Sequence, residues 1–410
     1  MTLFPDDKRN TIFQGDTIVG MQLLPDDCVH MAVTSPPYWE QRDYKSEGQI
    51  GNEPTLEAYV ANLVAVFAEV RRVLRDDGVF WLNIGDKMDG ELLGMPWRVA
   101  FALQADGWHL RSDTIWSKAN PMPESVNGWR WERCRVKVKN ISVEKTKWKK
   151  NKLTNQPMST GQHHEVEWAD CPGCPKCEPH GGYVLRRGSW RPTKAHEYLF
   201  LLTKTDRYYG DREAVIEQGT IPAGTLGAKG SAERQAEPGV NARPPEYKEY
   251  DGTRNKRDVW NINLRSYKGA HFAVYPAELI EPCILSGTSA KGCCPACGAP
   301  WVRQVASERV ATRPGENTKT TGVEDDVKGN RDPERHCTTT KTLGWLSSCT
   351  CGRKDTIPSI VLDPFMGSGT TAAVAKMHCR DYYGCELNPA YVKLAEDRIR
   401  KRRRRIAFSF

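Results

Sequence analysis

The stretch Ser359-Ile360-Val361-Leu362-Asp363-Pro364-Phe365-Met366-Gly367-Ser368-Gly369-Thr370-Thr371 decides the fold of this chain. Ile360 to Leu362 is a short apolar run of strand character, and an acid stands where it ends. Gly367 and Gly369 let the backbone turn tightly and approach a ligand, in conformations costly to other residues. The helix expected from about Thr370 then offers its free N–H groups to an anion. The next strand, Asp381 to Cys385, is followed by Glu386, placed like the acids that bind ribose hydroxyls in dinucleotide folds.

Outward from this unit the same alternation recurs. Val29 to Val33 reads as a strand. A helix is expected over Leu56 to Leu74, with Leu56, Tyr59, Val60, Leu63, Phe67, Val70 and Leu74 as one buried stripe. Asp76-Asp77-Gly78 is expected to stop it before a strand at Val79 to Ile84. Pro96 to Ala105 reads as a helix, Leu110 to Trp116 and His196 to Thr203 as strands, and a last helix starts at Pro389 with Tyr391, Leu394, Ala395 and Ile399 buried. The pattern predicts an α/β sheet with ligands at the carboxyl ends of its strands.

A second string, Thr34-Ser35-Pro36-Pro37-Tyr38, follows the strand at Val29. The two strings, in this order, resemble the DNA amino-methyltransferases of the permuted (β-type) group, whose catalytic half precedes the cofactor half. The resemblance covers roughly 10–120, 185–210 and 255–400. It implies a methyltransferase (Rossmann-like) fold with a mostly parallel sheet, circularly permuted, and S-adenosylmethionine as cofactor. Asp363 to Thr371 and Glu386 match the family's cofactor signature. His271-Phe272-Ala273 through Leu279 resembles the motif that closes over the methionine end, and Gly15-Asp16 the acidic position that contacts adenine. The implied cofactor residues are Asp16, Thr34, Phe272, Asp363, Phe365, Gly367, Gly369, Thr370 and Glu386.

Methylation of an exocyclic amine suits the Ser35-Pro36-Pro37-Tyr38 turn chemically. Such a nitrogen is a poor nucleophile because its lone pair is delocalised into the ring. Acceptors for its N–H groups favour a tetrahedral nitrogen and draw off its developing positive charge. Ser35 Oγ and a carbonyl of Ser35 or Pro36 supply such acceptors. The prolines fix the backbone and carry no competing N–H. Tyr38 can stack on a flipped base. In the family, Ser at the first position usually goes with cytosine N4, and Asp or Asn with adenine N6. The expected reaction is therefore methylation of cytosine N4 in duplex DNA, with adenine N6 as the alternative. An inactive zinc-containing DNA-binding protein is the alternative from another class.

The chain has 410 residues, a formal charge of +8, 39% hydrophobic residues and 14 cysteines. The charge suits a polyanionic partner, here double-stranded DNA. No run has the length of a membrane span and MTLFPDDKRN is no signal peptide, so a cytoplasmic location without a membrane partner is expected. In a reducing compartment, paired cysteines point to zinc rather than disulfides. Cys294-x-x-Cys297 and Cys349-x-Cys351, each pair followed by glycine, resemble a zinc ribbon. Cys293 and Cys337 are spare. Cys171-x-x-Cys174-x-x-Cys177 lacks a fourth ligand, with Cys134 preferred and His180, His163 and His164 as rivals. None of these cysteines is needed as a nucleophile.

The expected segments are a catalytic half (1–116), a basic Cys-rich insertion and candidate DNA-recognition region (117–192), a return strand (193–210), a mobile loop (211–258), a cofactor-closing segment (259–292), a zinc-ribbon-like insertion (293–353), a cofactor-binding half (354–399) and a basic tail (400–410). Between Trp129 and Lys152 aromatics alternate with cations, a pattern suited to phosphate contacts with some stacking. The Arg400 to Arg405 run suits non-specific DNA binding or a solvated end equally. No nuclease motif is visible. A cognate restriction enzyme encoded elsewhere, a phage-protective role and a regulatory role all remain compatible with the sequence.

Overall fold

The computed structural model describes residues 3–43, 46–121, 123–124, 126–142, 164–219, 253–264, 274–311 and 336–401. Its strands β1 (Thr11–Gln14), β2 (Val29–Thr34), β3 (Leu74–Ile84), β4 (His109–Ser117), β5 (His196–Thr203), β6 (Val259–Asn261), β7 (Ile360–Asp363) and β8 (Asp381–Glu386) form one eight-stranded sheet. Their spatial order is β1-β8-β7-β2-β3-β5-β4-β6. Neighbours are parallel throughout, except that β5 runs antiparallel to both β3 and β4.

Both faces of this sheet are buried, which is why β2 and β7 are almost continuously apolar. Phe80 and Leu82 of β3 point into one core, shared with helices α1 (Thr17–Gln22), α2 (Leu56–Val73) and α3 (Met95–Ala105). Val79 and Trp81 point into the other, shared with α4 (Ala277–Gly287), α5 (Thr370–Met377) and α6 (Pro389–Lys401). The period-two alternation of side chains thus sends successive residues to opposite helical layers. The pairing that matters most for the site is β7 with β2, Val361 opposite Met31 and Leu362 opposite Ala32. It sets the carboxyl ends of two strands more than three hundred residues apart in sequence next to each other.

Several boundaries depart from the sequence reading. Asp76-Asp77-Gly78 does not separate helix from strand, because β3 begins at Leu74 and runs through it. Leu74 pairs with Val29, and Arg75 ties down Asp77 through Nε and Nη2 at 2.7 and 2.9 Å. The register shift between Val29 and Met31 is where the extra length is absorbed. In α2 the buried stripe includes Val66 and Val73, whereas Val60 is only partly buried. In α6 the buried residues are Val392, Ala395 and Ile399, while Tyr391 and Leu394 are half-exposed.

The segment 211–258 does not begin as a free loop. Asp211 is buried against Arg303, and Glu217–Gln218 pairs with Thr253–Arg254, with 220–252 outside the described residues. The polar stretch after Gln304 is part of a long antiparallel ribbon, Trp301–Ala311 with His336–Ser347. His271, Phe272 and Ala273, His163 and the Arg402 to Arg405 run lie outside the described residues. So do Lys145, Lys147, Trp148, Lys149 and Lys150.

The chain separates into two compact units, residues 1–120 with 195–410, and residues 121–194. The second holds two short ribbons, Trp129–Arg133 with Tyr183–Arg187 and Arg135–Ser142 with His164–Asp170. It starts later than the sequence suggested because β4 continues to Ser117, and Lys118 N still donates to Ala195 O.

His30 pins the sheet to the Cys294 knuckle. Its Nδ1 accepts from Ile360 N at 3.0 Å, so Nε2 carries the proton and donates to Gly298 O at 2.9 Å. Burial, with Arg75 nearby, pushes the imidazole down to about 4. The unfolded chain takes up a proton near pH 6.5 and the folded chain does not until about pH 4. This residue therefore adds stability above pH 6.5 that is lost as pH falls towards 4, at up to about 1.4 kcal/mol per pH unit. The slope of unfolding free energy against pH in that window should be shallower in His30→Gln than in wild type. Equal slopes would show that His30 does not sense pH.

Candidate active site

One cavity of about 280 Å³ opens at the carboxyl ends of β1, β8, β7, β2 and β3. Ser35, Pro36, Pro37 and Tyr38 line one side of it, and Phe365, Met366, Gly367, Ser368 and Thr370 another. Glu386, Leu387, Asn388 and Tyr391 continue the second wall, and Gly15 and Asp16 close it. The catalytic turn and the glycine loop therefore face a single space.

The two walls are joined beneath by the carboxylate of Asp363, which is fully buried. Its Oδ1 accepts from Thr34 Oγ1 at 2.6 Å and from Phe365 N at 3.1 Å. Its Oδ2 accepts from Thr371 Oγ1 at 2.5 Å and from Tyr275 OH at 3.0 Å. Burial pushes this carboxyl above its usual range, and the surrounding donors, Thr34 first, pull it back. Thr34, Asp363 and Gly369 were expected among the cofactor contacts, yet they are not in the cavity wall. Thr34 and Asp363 form its foundation. Gly369 caps α5 at φ +75°, where an added Cβ would lie 2.7 Å from Ala395 Cβ.

Gly367, at φ +53°, has the opposite surroundings. A Cβ there would meet no protein atom nearer than 3.9 Å, so the space beside it belongs to the cavity. Glu386 holds this loop in place. Its Oε2 accepts from Gly367 N and its Oε1 from Asn388 N, both at 2.8 Å. A carboxylate has about four acceptor sites, which leaves room for a diol on the open side. Asp16 caps α1 through Ile18 N and Val19 N while lining the cavity. Thr370 Oγ1 and Ser368 Oγ take hydrogen bonds from Arg398 Nη1 at 2.6 and 2.9 Å, which sets a cation at the start of α5.

The catalytic side carries a chain of polar groups. Ser35 Oγ donates to Tyr38 OH at 3.3 Å, and Tyr38 OH donates to Glu197 Oε2 at 2.8 Å. Glu197 is held in turn by Asn83 Nδ2 at 3.1 Å and by an ion pair with Lys118. Burial, then the Glu197 charge, pushes the Tyr38 phenol well above its ordinary range, so it stays a donor. Tyr59 OH fixes the Pro37 carbonyl at 3.0 Å. Cys385 also lines the cavity, but burial pushes its thiol up to about 12.

Glu197, Lys118, Asn83 and Tyr275 were not singled out in the sequence. The available signal was an acid as the second residue of the apolar strand β5 and a lysine just past β4. These become neighbours only because β5 pairs antiparallel to β4, with Glu197 opposite Trp116.

Two clusters are formed by cysteines that are not among the residues lining the cavity. The Sγ atoms of Cys294, Cys297, Cys349 and Cys351 are all within 4.8 Å of one another, and so are those of Cys134, Cys171, Cys174 and Cys177. In the second cluster Cys134–Cys174 and Cys174–Cys177 are 3.9 and 3.5 Å apart. Four thiolates at about 2.3 Å from a tetrahedral zinc are separated by about 3.8 Å. Cys293 points elsewhere, to the Ile357 and Pro358 carbonyls, and the His180 ring packs on Trp131 at 4.5 Å. Nothing is described of the side chains of Cys337 and His164.

The family model described as DNA methylase matches residues 29–294 and 354–397, a span that stops at Cys294 and resumes after Cys351. The chain is 30% identical to the Type II methyltransferase M.Cfr9I of Citrobacter freundii, over 95% of this chain and 87% of that protein. It is also 30% identical to M.XycI of Xanthomonas campestris pv. cyanopsidis, over 96% and 88%. A shorter match, to M.MwoI of Methanothermobacter wolfeii, reaches 46% identity over 29% of this chain and 18% of that protein.

Replacing Asp363 by Asn keeps the shape but turns one acceptor into a donor facing buried hydroxyls. Urea unfolding of Asp363→Asn should show a loss of about 1–3 kcal/mol. An unchanged midpoint would mean that this carboxylate does not hold the two walls together.

Proposed function

This chain belongs to the DNA methylase family, and we propose that it transfers the methyl group of S-adenosylmethionine to the exocyclic N4 of a cytosine flipped out of duplex DNA. The observation that carries this reading is the single cavity shared by the Ser35-Pro36-Pro37-Tyr38 turn and the Phe365 to Thr370 loop. When bound, S-adenosylmethionine supplies an electrophilic methyl carbon. Glu386 is suited to its ribose diol, the α5 start at Ser368 and Thr370 to its carboxylate, and the open space beside Gly367 to close backbone approach. The order of the chain, catalytic turn first and glycine loop last, supports the circularly permuted type.

Serine is both donor and acceptor, whereas the transition state needs acceptors only. The relay of Tyr38, Glu197, Asn83 and Lys118 supplies the missing direction. With Tyr38 OH committed to Glu197, its oxygen can take the Ser35 proton, and the Ser35 lone pairs face the cavity. Ser35 Oγ would then accept from the amine and draw positive charge from the nitrogen as the methyl carbon leaves the cofactor sulfur for N4, the surplus N4 proton being lost to solvent. The Ser35 or Pro36 carbonyl supplies a second acceptor, and the two prolines keep that backbone rigid. Serine at the first position of the turn, which in the resembled family usually goes with cytosine, supports N4 over adenine N6.

The residues 121–194, basic and rich in exposed tryptophan, are assigned to DNA recognition. Each cysteine cluster is assigned a structural zinc, because four thiolates at this spacing satisfy a tetrahedral ion. Among the described residues no helix is long and apolar enough to cross a membrane. Similarity to Type II methyltransferases along nearly the whole chain supports a role in restriction-modification beside a separate restriction enzyme.

Nucleoside mass spectrometry of unmethylated DNA incubated with protein and S-adenosylmethionine should detect N4-methylcytosine. N6-methyladenine would overturn the base assignment and keep the mechanism, and no methylated base would favour an inactive DNA-binding protein. Ser35→Ala should lower turnover by on the order of 10²-fold with unchanged cofactor affinity by calorimetry. Loss of cofactor affinity would mean that the two pockets are misassigned. Glu197→Gln should lower kcat by about tenfold with little change in KM for DNA, since it acts through the Ser35 proton.

A further inference from the structure

Resting on that reading and deepening it, we propose that residues 121–194 form a metal-dependent reader of duplex DNA. A zinc ion on Cys134, Cys171, Cys174 and Cys177 holds a two-stranded ribbon, Trp129–Arg133 with Tyr183–Arg187, and one face of that ribbon enters the major groove.

The first observation is a missing core. Among the residues of this unit whose side chains are described, only Cys177 is buried. The described side chains supply little apolar burial to stabilise so small a unit, and structural metals take that place in small domains. The second is where the cysteines sit. Cys134 joins the two ribbons, following Arg133 and preceding Arg135. Its N–H donates to Gly182 O and its carbonyl accepts from Cys171 N, both at 2.8 Å. Gly182 N donates to Cys177 O at 2.9 Å. The knot therefore grips one end of both ribbons at once, and its release would free all four strands.

The third is the chemistry of the face. Cross-strand pairs Trp129 with Arg187, Trp131 with Leu185 and Arg133 with Tyr183 stand on one side of the ribbon. Trp129 is 68% exposed, Trp131 50% and Tyr183 41%. Arg187 lies over the Trp129 ring at 5.1 Å and Arg133 over Tyr183 at 5.4 Å. These six positions include two cations, Arg187 and Arg133, and no acid, with Arg133 also paired to Asp170 of the second ribbon at 3.2 Å. On the other side Glu132 takes both Arg130 and Arg186, which offsets their charge. Large exposed aromatics are costly to leave in water, and here they alternate with cations on one face only.

A polyanion matches that charge. The major groove of B-DNA, about 12 Å wide, admits a two-stranded ribbon. Arginines on such a ribbon reach phosphates or guanine edges, and the aromatics meet thymine methyls and sugar.

The test uses the full chain and three variants: Cys174→Ser for the metal, and Trp131→Ala and Arg187→Ala for the face. Metal analysis should find two zinc ions per wild-type chain, one per cluster, and one in Cys174→Ser. Fluorescence anisotropy with a labelled duplex fragment that the wild-type protein is found to methylate should show at least about tenfold weaker binding for Cys174→Ser and Trp131→Ala. Arg187→Ala should also reduce the slope of log affinity against log salt by about one. S-adenosylmethionine affinity should be unchanged in all three, because the sheet has its own core. Wild-type DNA affinity in Cys174→Ser, or in both face variants, overturns the proposal, as does tighter binding to single strands than to duplex. A wild-type protein that methylates no DNA overturns the parent reading instead, so the two failures are distinguishable.

Discussion

The Asp363 carboxylate is the constraint on which the rest of the site depends. A buried charge is tolerated only when hydrogen bonds replace the water it has lost. Here its donors come from the end of β2, the turn after β7, the segment before α4 and the first turn of α5. Satisfying one side chain therefore fixes four pieces of chain against each other. Thr34 is one of the four, so the catalytic turn that begins at Ser35 cannot shift without breaking this network. Phe365 N is another, and it starts the loop that Gly367 and Glu386 complete.

A second buried polar chain acts at the far side of the cavity, with a different purpose. Asp363 sets positions, whereas Glu197 sets directions. Its two oxygens are occupied by Tyr38, Asn83 and Lys118, and a hydroxyl with a committed proton has a defined acceptor side. The lysine is also placed over the Trp116 ring at 4.5 Å, so the pair is held from two sides. Such a network is stiff because each member would be left unsatisfied by the movement of any other.

The two compact units solve the stability problem differently. The sheet buries both faces beneath six helices, and its inserted Cys294 knuckle is fastened to that core through His30 and Arg75. Among the described side chains of residues 121–194 only Cys177 is buried, and the strands converge on four cysteines instead. The family model passes over residues 295–353 and matches the sheet on either side. An element held by its own ligands can be inserted without disturbing the core it leaves.

Most of the sheet was legible in the sequence, because alternating apolar runs and the glycine loop are local signals. His196–Thr203 is a strand over the whole expected run, and the helix expected from Thr370 begins there. Asp76-Asp77-Gly78 misled for an equally local reason, since the turn-like composition was overridden by pairing with Val29 and by the Arg75 bridge. The residue types of the catalytic turn, the acid after β8 and the paired cysteines were also set by the sequence itself. Only the tertiary structure decided that Asp363 is a foundation rather than a wall, that Cys134 meets Cys171, Cys174 and Cys177, and that Glu197 reaches Tyr38. Each of these joins residues distant in the chain through strand pairing or burial. Local propensity and spacing carry no information about which distant donor a buried carboxylate will find.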